Sequence, residues 1–180
     1  MQDDIFKYGI IVGRFQHIHK GHEKLINIGL RLCNKLLVFI GSANQKTSAR
    51  NPYSYEYRKS LIEIIYKDEI SSQKLIIAPL DDWADCSLLT PKWGEYVLDK
   101  AKEVLGEYPN CIIYGKDKDI FKCFSKNDVK NISEVYVDRN SLLISATKMR
   151  EYLKDNNIEE WKKYANEKIY DKFDELRNML

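Results

Sequence analysis

The sequence has no run of about 18 apolar residues, so no membrane-spanning helix is expected. Cysteine is sparse: Cys33, Cys86, Cys111 and Cys123 stand apart and form no C-x-x-C pair. That argues against a disulfide framework, and the four are read as reduced core thiols. Charge of one sign is not in excess. Lys plus Arg total 29 against 27 for Asp plus Glu, a net +2, which does not suit a general DNA or RNA binder with its basic stripe. The G-x-G-x-x-G spacing of a dinucleotide turn is missing. So are repeats, low-complexity tracts and any obvious linker. The opening MQDDIFKYG lacks the basic-then-apolar layout of a signal peptide, so a cytoplasmic protein is expected. A length of 180 residues suits one domain spanning 1–180, with a helical part from about 147 onward.

What is present alternates. Tyr8 to Phe15 contains the apolar run Ile10, Ile11 and Val12, as in a strand buried on both faces of a parallel sheet. Lys20 to Cys33 reads as a helix with Leu25, Ile28, Gly29 and Leu32 on one face, and Leu36 to Gly41 as a second buried strand. A helix follows over Tyr55 to Lys67, its apolar side Leu61, Ile62, Ile65 and Tyr66. Lys74 to Ala78 is a strand that Pro79 is expected to end. Lys92 to Leu105 is a helix with Val97, Leu98, Ala101 and Leu105 inward. Cys111 to Tyr114 and Glu134 to Val137 are further strands. Thr147 to Leu153 and Ile158 to Leu180 are helical, the last a charged, surface-packed tail. The expected fold is α/β: a Rossmann-like open parallel sheet of about five strands, helices on both faces and a helical C-terminal tail. Ligands then belong at the carboxyl ends of the strands.

Two segments carry chemistry. The first is Gly13-Arg14-Phe15-Gln16-His17-Ile18-His19-Lys20-Gly21-His22, between the first strand and the first helix. A helix start offers unpaired N–H groups and partial positive charge to a phosphate. His19 and His22 are three apart and share a helical face, and both are able to donate to phosphate oxygens. Gly13 permits close approach of backbone to ligand, Gly21 close packing at the turn, and Arg14 adds a charged fork. Two other readings compete: surface histidines without function, and a metal site, although no Cys or carboxylate pattern accompanies the pair and no protein-held metal is expected. The second segment is Ile144-Ser145-Ala146-Thr147-Lys148-Met149-Arg150, entering a helix. Ser145 or Thr147 suits the N-cap, and the cations of its first turn oppose the helix dipole unless an anion binds there. The bland alternative is that both cations reach solvent.

Together, His19-Lys20-Gly21-His22 and Ile144 to Arg150 resemble the nucleotidyltransferase superfamily marked by H-x-G-H and I-S-x-T-x-x-R. Gly41-Ser42-Ala43, then Ala49-Arg50-Asn51-Pro52-Tyr53, then Glu56 and Arg58, is similar to the archaeal-type nicotinamide mononucleotide adenylyltransferases and to the adenylyltransferase half of their Nudix-bifunctional relatives. Pro79 to Asp82 with Trp93, and Tyr114-Gly115-Lys116-Asp117, resemble the same group. Two departures stand out: His17-Ile18 where Pro-Phe is commoner, and a longer segment between Asp82 and Trp93. No Nudix box occurs, so that second activity is not expected.

The resemblance implies that the acceptor's phosphate attacks the α-phosphorus of ATP directly, yielding NAD and pyrophosphate from nicotinamide mononucleotide. It assigns His22 to the α-phosphate, His19 and Arg14 to the triphosphate, and Arg150 with Ser145 and Thr147 to the β- and γ-phosphates. It also puts Gly13, Phe15, Gly21 and Gly115 in the ATP site. Arg50 pairs with the acceptor phosphate, and Asp82 meets the amide or ribose side. Trp93 either stacks on the pyridinium or packs in the core, while Trp83 and Trp161 are read as structural. Mg²⁺ bridges ATP phosphate oxygens. The partners implied are small molecules, ATP and the mononucleotide, with no nucleic acid or membrane and a homo-oligomer in view. Nicotinic acid mononucleotide, phosphopantetheine and FMN remain alternative acceptors, and a catalytically silent nucleotide sensor is the alternative of another class.

Overall fold

The computed structural model describes residues 5–45, 47–82, 91–115, 123–138 and 144–180. Five strands are present: β1 (Phe6–Gly13), β2 (Cys33–Gly41), β3 (Leu75–Leu80), β4 (Cys111–Gly115) and β5 (Ser133–Val137). All pair in parallel, in the order β3-β2-β1-β4-β5. Successive side chains of a strand point to opposite faces, and the central strands are apolar on both. Ile11, Leu36, Val38, Ile40, Cys111 and Ile113 enter one core cluster, and Ile10, Leu37, Phe39, Ile112 and Tyr114 enter the other. This double burial is why these strands read as unbroken apolar runs rather than as alternating patterns.

The helices divide accordingly. One face carries α1 (Lys20–Leu32), α2 (Tyr55–Ile65), α5 (Ala146–Lys154), α6 (Ile158–Tyr164) and α7 (Phe173–Asn178), and the other carries α4 (Pro91–Leu105). A short α3 (Lys67–Ser71) follows α2 directly. The expected face of α2, Leu61, Ile62, Ile65 and Tyr66, is buried throughout. On α1 the buried face is Gly21, Leu25, Ile26 and Gly29, while Ile28 and Leu32 lie at its flank. On α4, Gly94 is pressed against the chain at Cys123: an added Cβ would come within 2.0 Å of the Cys123 carbonyl oxygen.

Three expectations are corrected. Pro79 does not end β3 but lies inside it, in register with Ile40. Among the described residues β3 pairs only with β2, and a proline on an edge strand turns its missing N–H outward. Second, α1 runs straight into β2 at Cys33, so the strand starts earlier than Leu36. Third, the tail is not one surface helix. Ala165 is extended (φ −84°, ψ 155°), and a 3-10 turn over Glu167–Lys172 separates α6 from α7. Nor is it peripheral: Trp161, Ala165, Ile169, Phe173 and Leu176 are all buried in the larger core. Their four- and three-residue spacing keeps helical periodicity across the break, so the pattern alone reads as a continuous helix.

Cys33, Cys111 and Cys123 are buried thiols, and Cys86 lies outside the described residues. A hydrogen bond with Cys33, and then burial, holds the Cys111 thiol well above its ordinary range, in the protonated form. No helix among the described residues is long and apolar enough to cross a membrane.

Candidate active site

The strand order turns back between β1 and β4, and the loop leaving β1 opens at that point. It runs from Arg14 to His19, and Phe15 to His19 are all buried. His19 is the N-cap of α1: its Nδ1 accepts from the Gly21 amide at 3.1 Å. The proton of a neutral His19 therefore sits on Nε2. Only glycine fits at position 21, because a Cβ would meet the His19 ring at 2.9–3.0 Å. One turn on, His22 stacks against His19 with centroids 3.9 Å apart and planes at 30°, and Phe15 packs on it at 4.7 Å. Two imidazoles are thus fixed over the positive end of a 13-residue helix.

The second segment comes to the same loop. Ser145 takes the N-cap of α5, its Oγ accepting from the Lys148 amide at 3.2 Å. Lys148 follows the bland reading, pairing with Glu151 at 3.0 Å in solvent. Arg150 does not: it turns back and donates through Nη1 to the Gln16 carbonyl oxygen at 2.6 Å, with Thr147 Oγ1 at 3.4 Å from Nη2. Residues 134 apart in sequence thus meet at one loop. Arg14 adds a third element, Nη1 reaching Asn51 Oδ1 at 3.5 Å. Desolvation first, and then the nearby positive charges of Arg50 and Arg150, push the Arg14 guanidinium below its ordinary range, with Asp82 opposing. Arg14 with Arg50 and Arg150 close to it, at the carboxyl end of a parallel sheet, is an arrangement suited to anions.

Beneath them lies a residue that motif reading left without a role. Arg58 is 1% exposed, and its guanidinium donates to four carbonyls: Arg14 at 2.6 Å, Gly41 at 2.7 Å, and Ser42 and Ser54 at 3.1 Å each. Burial pushes it down to about 10, so it stays charged at neutral pH. A signal for it was present, since Arg58 extends the apolar face of Leu61, Ile62 and Ile65 back by one turn. A cation on such a face has to be satisfied from inside.

Beside it, Ser42 donates from Oγ to Asp82 Oδ1 at 3.0 Å, and Asn44 pairs with the Asp82 backbone at 2.9 and 3.1 Å. The ends of β2 and β3 are thereby joined, and Asp82 is held at their lip. Arg50 is exposed on the loop before α2. Gly115 ends β4, next to β1 in the sheet. Trp93 sits on the α4 side, partly buried and edge-on to Phe124 at 6.1 Å, so the structure does not bring it against the histidines. Trp83, Lys116 and Asp117, and most of the segment between Asp82 and Trp93, lie outside the described residues.

His17 and Ile18 were visible in the sequence only as a departure from the family pattern. His17 is fully buried. Its Nδ1 lies 2.6 Å from the Ile18 carbonyl oxygen, and its Nε2 accepts from Trp161 Nε1 at 3.0 Å. Gln16 exchanges two 3.1 Å hydrogen bonds with the Tyr53 backbone, and the Tyr53 hydroxyl donates to the Leu176 carbonyl at 3.1 Å. Trp161, expected to be structural, is therefore structural at the site itself.

A family profile described as cytidylyltransferase-like matches residues 10–170, which takes in both segments and every element between them. The chain belongs to the cytidylyltransferase-like family. Within it, the chain is 27% identical over 163 residues to a nicotinamide-nucleotide adenylyltransferase of Archaeoglobus fulgidus, covering 88% of this chain and 85% of that one. Its fold is that of a bifunctional NMN adenylyltransferase/ADP ribose pyrophosphatase of Francisella tularensis, solved with AMP and a manganese ion (TM-score 0.66, 24% identity), over 83% of this chain and 42% of that one. The chain thus spans less than half of that two-activity protein. It also superposes on the nicotinic acid mononucleotide adenylyltransferase of Plasmodium falciparum in complex with NaAD (TM-score 0.63, 20% identity), over 97% and 98% of the two chains. The family makes the chain a nucleotidyltransferase, and the loop from Arg14 to His19 opens at the carboxyl ends of the strands, where ligands bind in open parallel sheets.

Proposed function

We propose that this protein transfers the adenylyl group of ATP to nicotinamide mononucleotide, forming NAD and releasing pyrophosphate. The observation that carries the reading is that Arg50 and Arg150 lie near Arg14, and Arg150 binds Gln16, in the loop that leads into the stacked His19–His22 pair. An anionic acceptor phosphate needs no base to become a nucleophile. Its oxygen forms a bond to the α-phosphorus as the bond from that phosphorus to the bridging oxygen of pyrophosphate breaks. Charge grows on the α-phosphate and on the leaving group, so alignment and charge stabilisation are the catalytic tasks.

His22 donates to the α-phosphate, while His19 Nε2–H and Arg14 hold the triphosphate chain, with Gly13, Phe15, Gly21 and Gly115 shaping the nucleotide pocket. Arg150 receives the departing β- and γ-phosphates. Ser145 and Thr147 each accept from within α5, which leaves their hydroxyl protons for phosphate oxygens. Arg50 pairs with the acceptor phosphate, and Asp82, steadied by Ser42 and Asn44, meets its amide or ribose side. Trp93 contributes a π face to the pyridinium. No group of three His, Cys, Asp or Glu side chains suited to a metal occurs among the described residues. Mg²⁺ is the divalent ion we assign; held by phosphate oxygens and water, it would neutralise phosphate charge. A cytoplasmic homo-oligomer acting on small molecules, without nucleic acid or membrane, completes the reading.

The test is turnover with ATP and Mg²⁺ and, separately, nicotinamide mononucleotide, nicotinic acid mononucleotide, phosphopantetheine and FMN, following pyrophosphate and identifying the product. NAD made from the amide in preference to the acid supports the assignment. Pyrophosphate with only another acceptor keeps the chemistry and refutes the acceptor pocket. ATP binding without turnover makes the protein a nucleotide sensor.

A further inference from the structure

We infer that His17, gripped by the indole of Trp161, is a positioning residue that fixes the imidazoles of His19 and His22 for adenylyl transfer. The inference rests on the adenylyl-transfer reading above and adds to it a part built from this chain's own residues. An indole N–H only donates, so His17 Nε2 has to present its lone pair, and the proton of the neutral ring sits on Nδ1. That proton is then donated to the Ile18 carbonyl at 2.6 Å. Both ring nitrogens are used, and the fully buried ring is flanked by Trp161 at 5.8 Å and Tyr53 at 6.1 Å. It has one place to be.

The residues on either side are held as firmly. Gln16 is bound at its side chain by Tyr53 and at its carbonyl by Arg150. His19 closes the stretch by capping α1, and His22 stacks on His19, so the position of one ring sets that of the other. The grip comes from far away in the chain. Trp161 belongs to α6, where Tyr170 at 6.0 Å and Phe173 at 5.3 Å wedge it in place. Where the family pattern commonly has a proline, a side-chain hydrogen bond from the C-terminal core holds the loop here.

The chain has three histidines, all in this loop and the start of α1, so imidazole nitrogen NMR of the intact protein reports on each. The expected wild-type spectrum places His17 in the Nδ1–H tautomer. Trp161→Phe, which removes the donor but keeps a ring, should move the His19 and His22 signals as well as that of His17. In kinetics, His17→Ala and Trp161→Phe should each lower kcat about tenfold, in scale with one hydrogen bond. Because both act through one bond, the double variant should be no slower than either single one. An Nε2–H tautomer for His17 overturns the inference, and this holds even if a variant fails to fold. Unmoved His19 and His22 signals, or kcat losses that multiply in the double variant, also overturn it. A wild-type protein without turnover on any acceptor would instead sink the enzymatic reading, and the spectra would still decide the geometry.

Discussion

The guanidinium of Arg58 lies under the backbone of Arg14 and holds it: Arg58 Nη1 donates to the Arg14 carbonyl at 2.6 Å and, at 2.7 Å, to that of Gly41. One buried cation thereby joins the loops leaving β1 and β2, the two that present Arg14, Ser42 and Arg50.

Replacing that cation with an apolar residue leaves four carbonyls without their donor in a dry environment. Arg58→Met should cost about 3 kcal/mol of folding stability, in the range for breaking a buried charged network. Arg58→Lys keeps the charge but cannot reach four acceptors at once, and should fall between. Denaturant unfolding of the three proteins measures this; a loss for Arg58→Met below about 1 kcal/mol would mean the clamp is idle.

His17 makes stability depend on pH. Burial, with Arg150 adding to it against the Ile18 hydrogen bond, pushes His17 from 6.5 down to about 4. Between those values the unfolded chain binds the proton and the folded one does not. Stability from this group is therefore complete above pH 6.5 and is lost as pH falls through the window toward 4. From pH 7 to pH 5 the loss should be roughly 2 kcal/mol. Unfolding curves at the two pH values give the difference. His17→Gln has nothing to titrate at this position and should flatten it; the same slope in that variant would assign the effect to other groups.

His22→Ala should lower kcat by about two to three decades, the cost of one transition-state donor, with a smaller change in ATP binding. Steady-state rates beside ATP titration separate the two. A rate equal to wild type would remove His22 from the chemistry.

Arg50→Ala should act on the acceptor instead. A charge-assisted pair to a phosphate is worth about 2 kcal/mol, so the KM for the mononucleotide should rise roughly thirtyfold while that for ATP changes little. A rise confined to ATP would exchange the two pockets.

Much of the fold could be read from the sequence. The doubly buried strands announce themselves by unbroken apolar runs such as Leu36 to Ile40, and the helices by their faces. Ser145 or Thr147 was legible as the cap of α5, and the structure settles on Ser145. What the sequence did not reveal was set by long-range partners. Pro79 sits in a strand because that strand is an edge, which only the sheet order decides. Helical spacing from Trp161 to Leu176 survives a backbone break because burial, not the backbone, imposes it. Arg58 was in view as a motif letter and as a cation on an apolar face, but its acceptors are carbonyls, which no side-chain pattern displays. His17 looked like a departure because its partner, Trp161, is 144 positions away.

These distances bear on biosynthesis. A chain leaving the ribosome makes the loop after β1 well before its partners: Tyr53 has to wait 123 residues for Leu176 and His17 has to wait 144 for Trp161. A nascent chain stalled before α6 holds His19 and His22 without the indole that seats His17 beside them, so nucleotide affinity should arise late in synthesis.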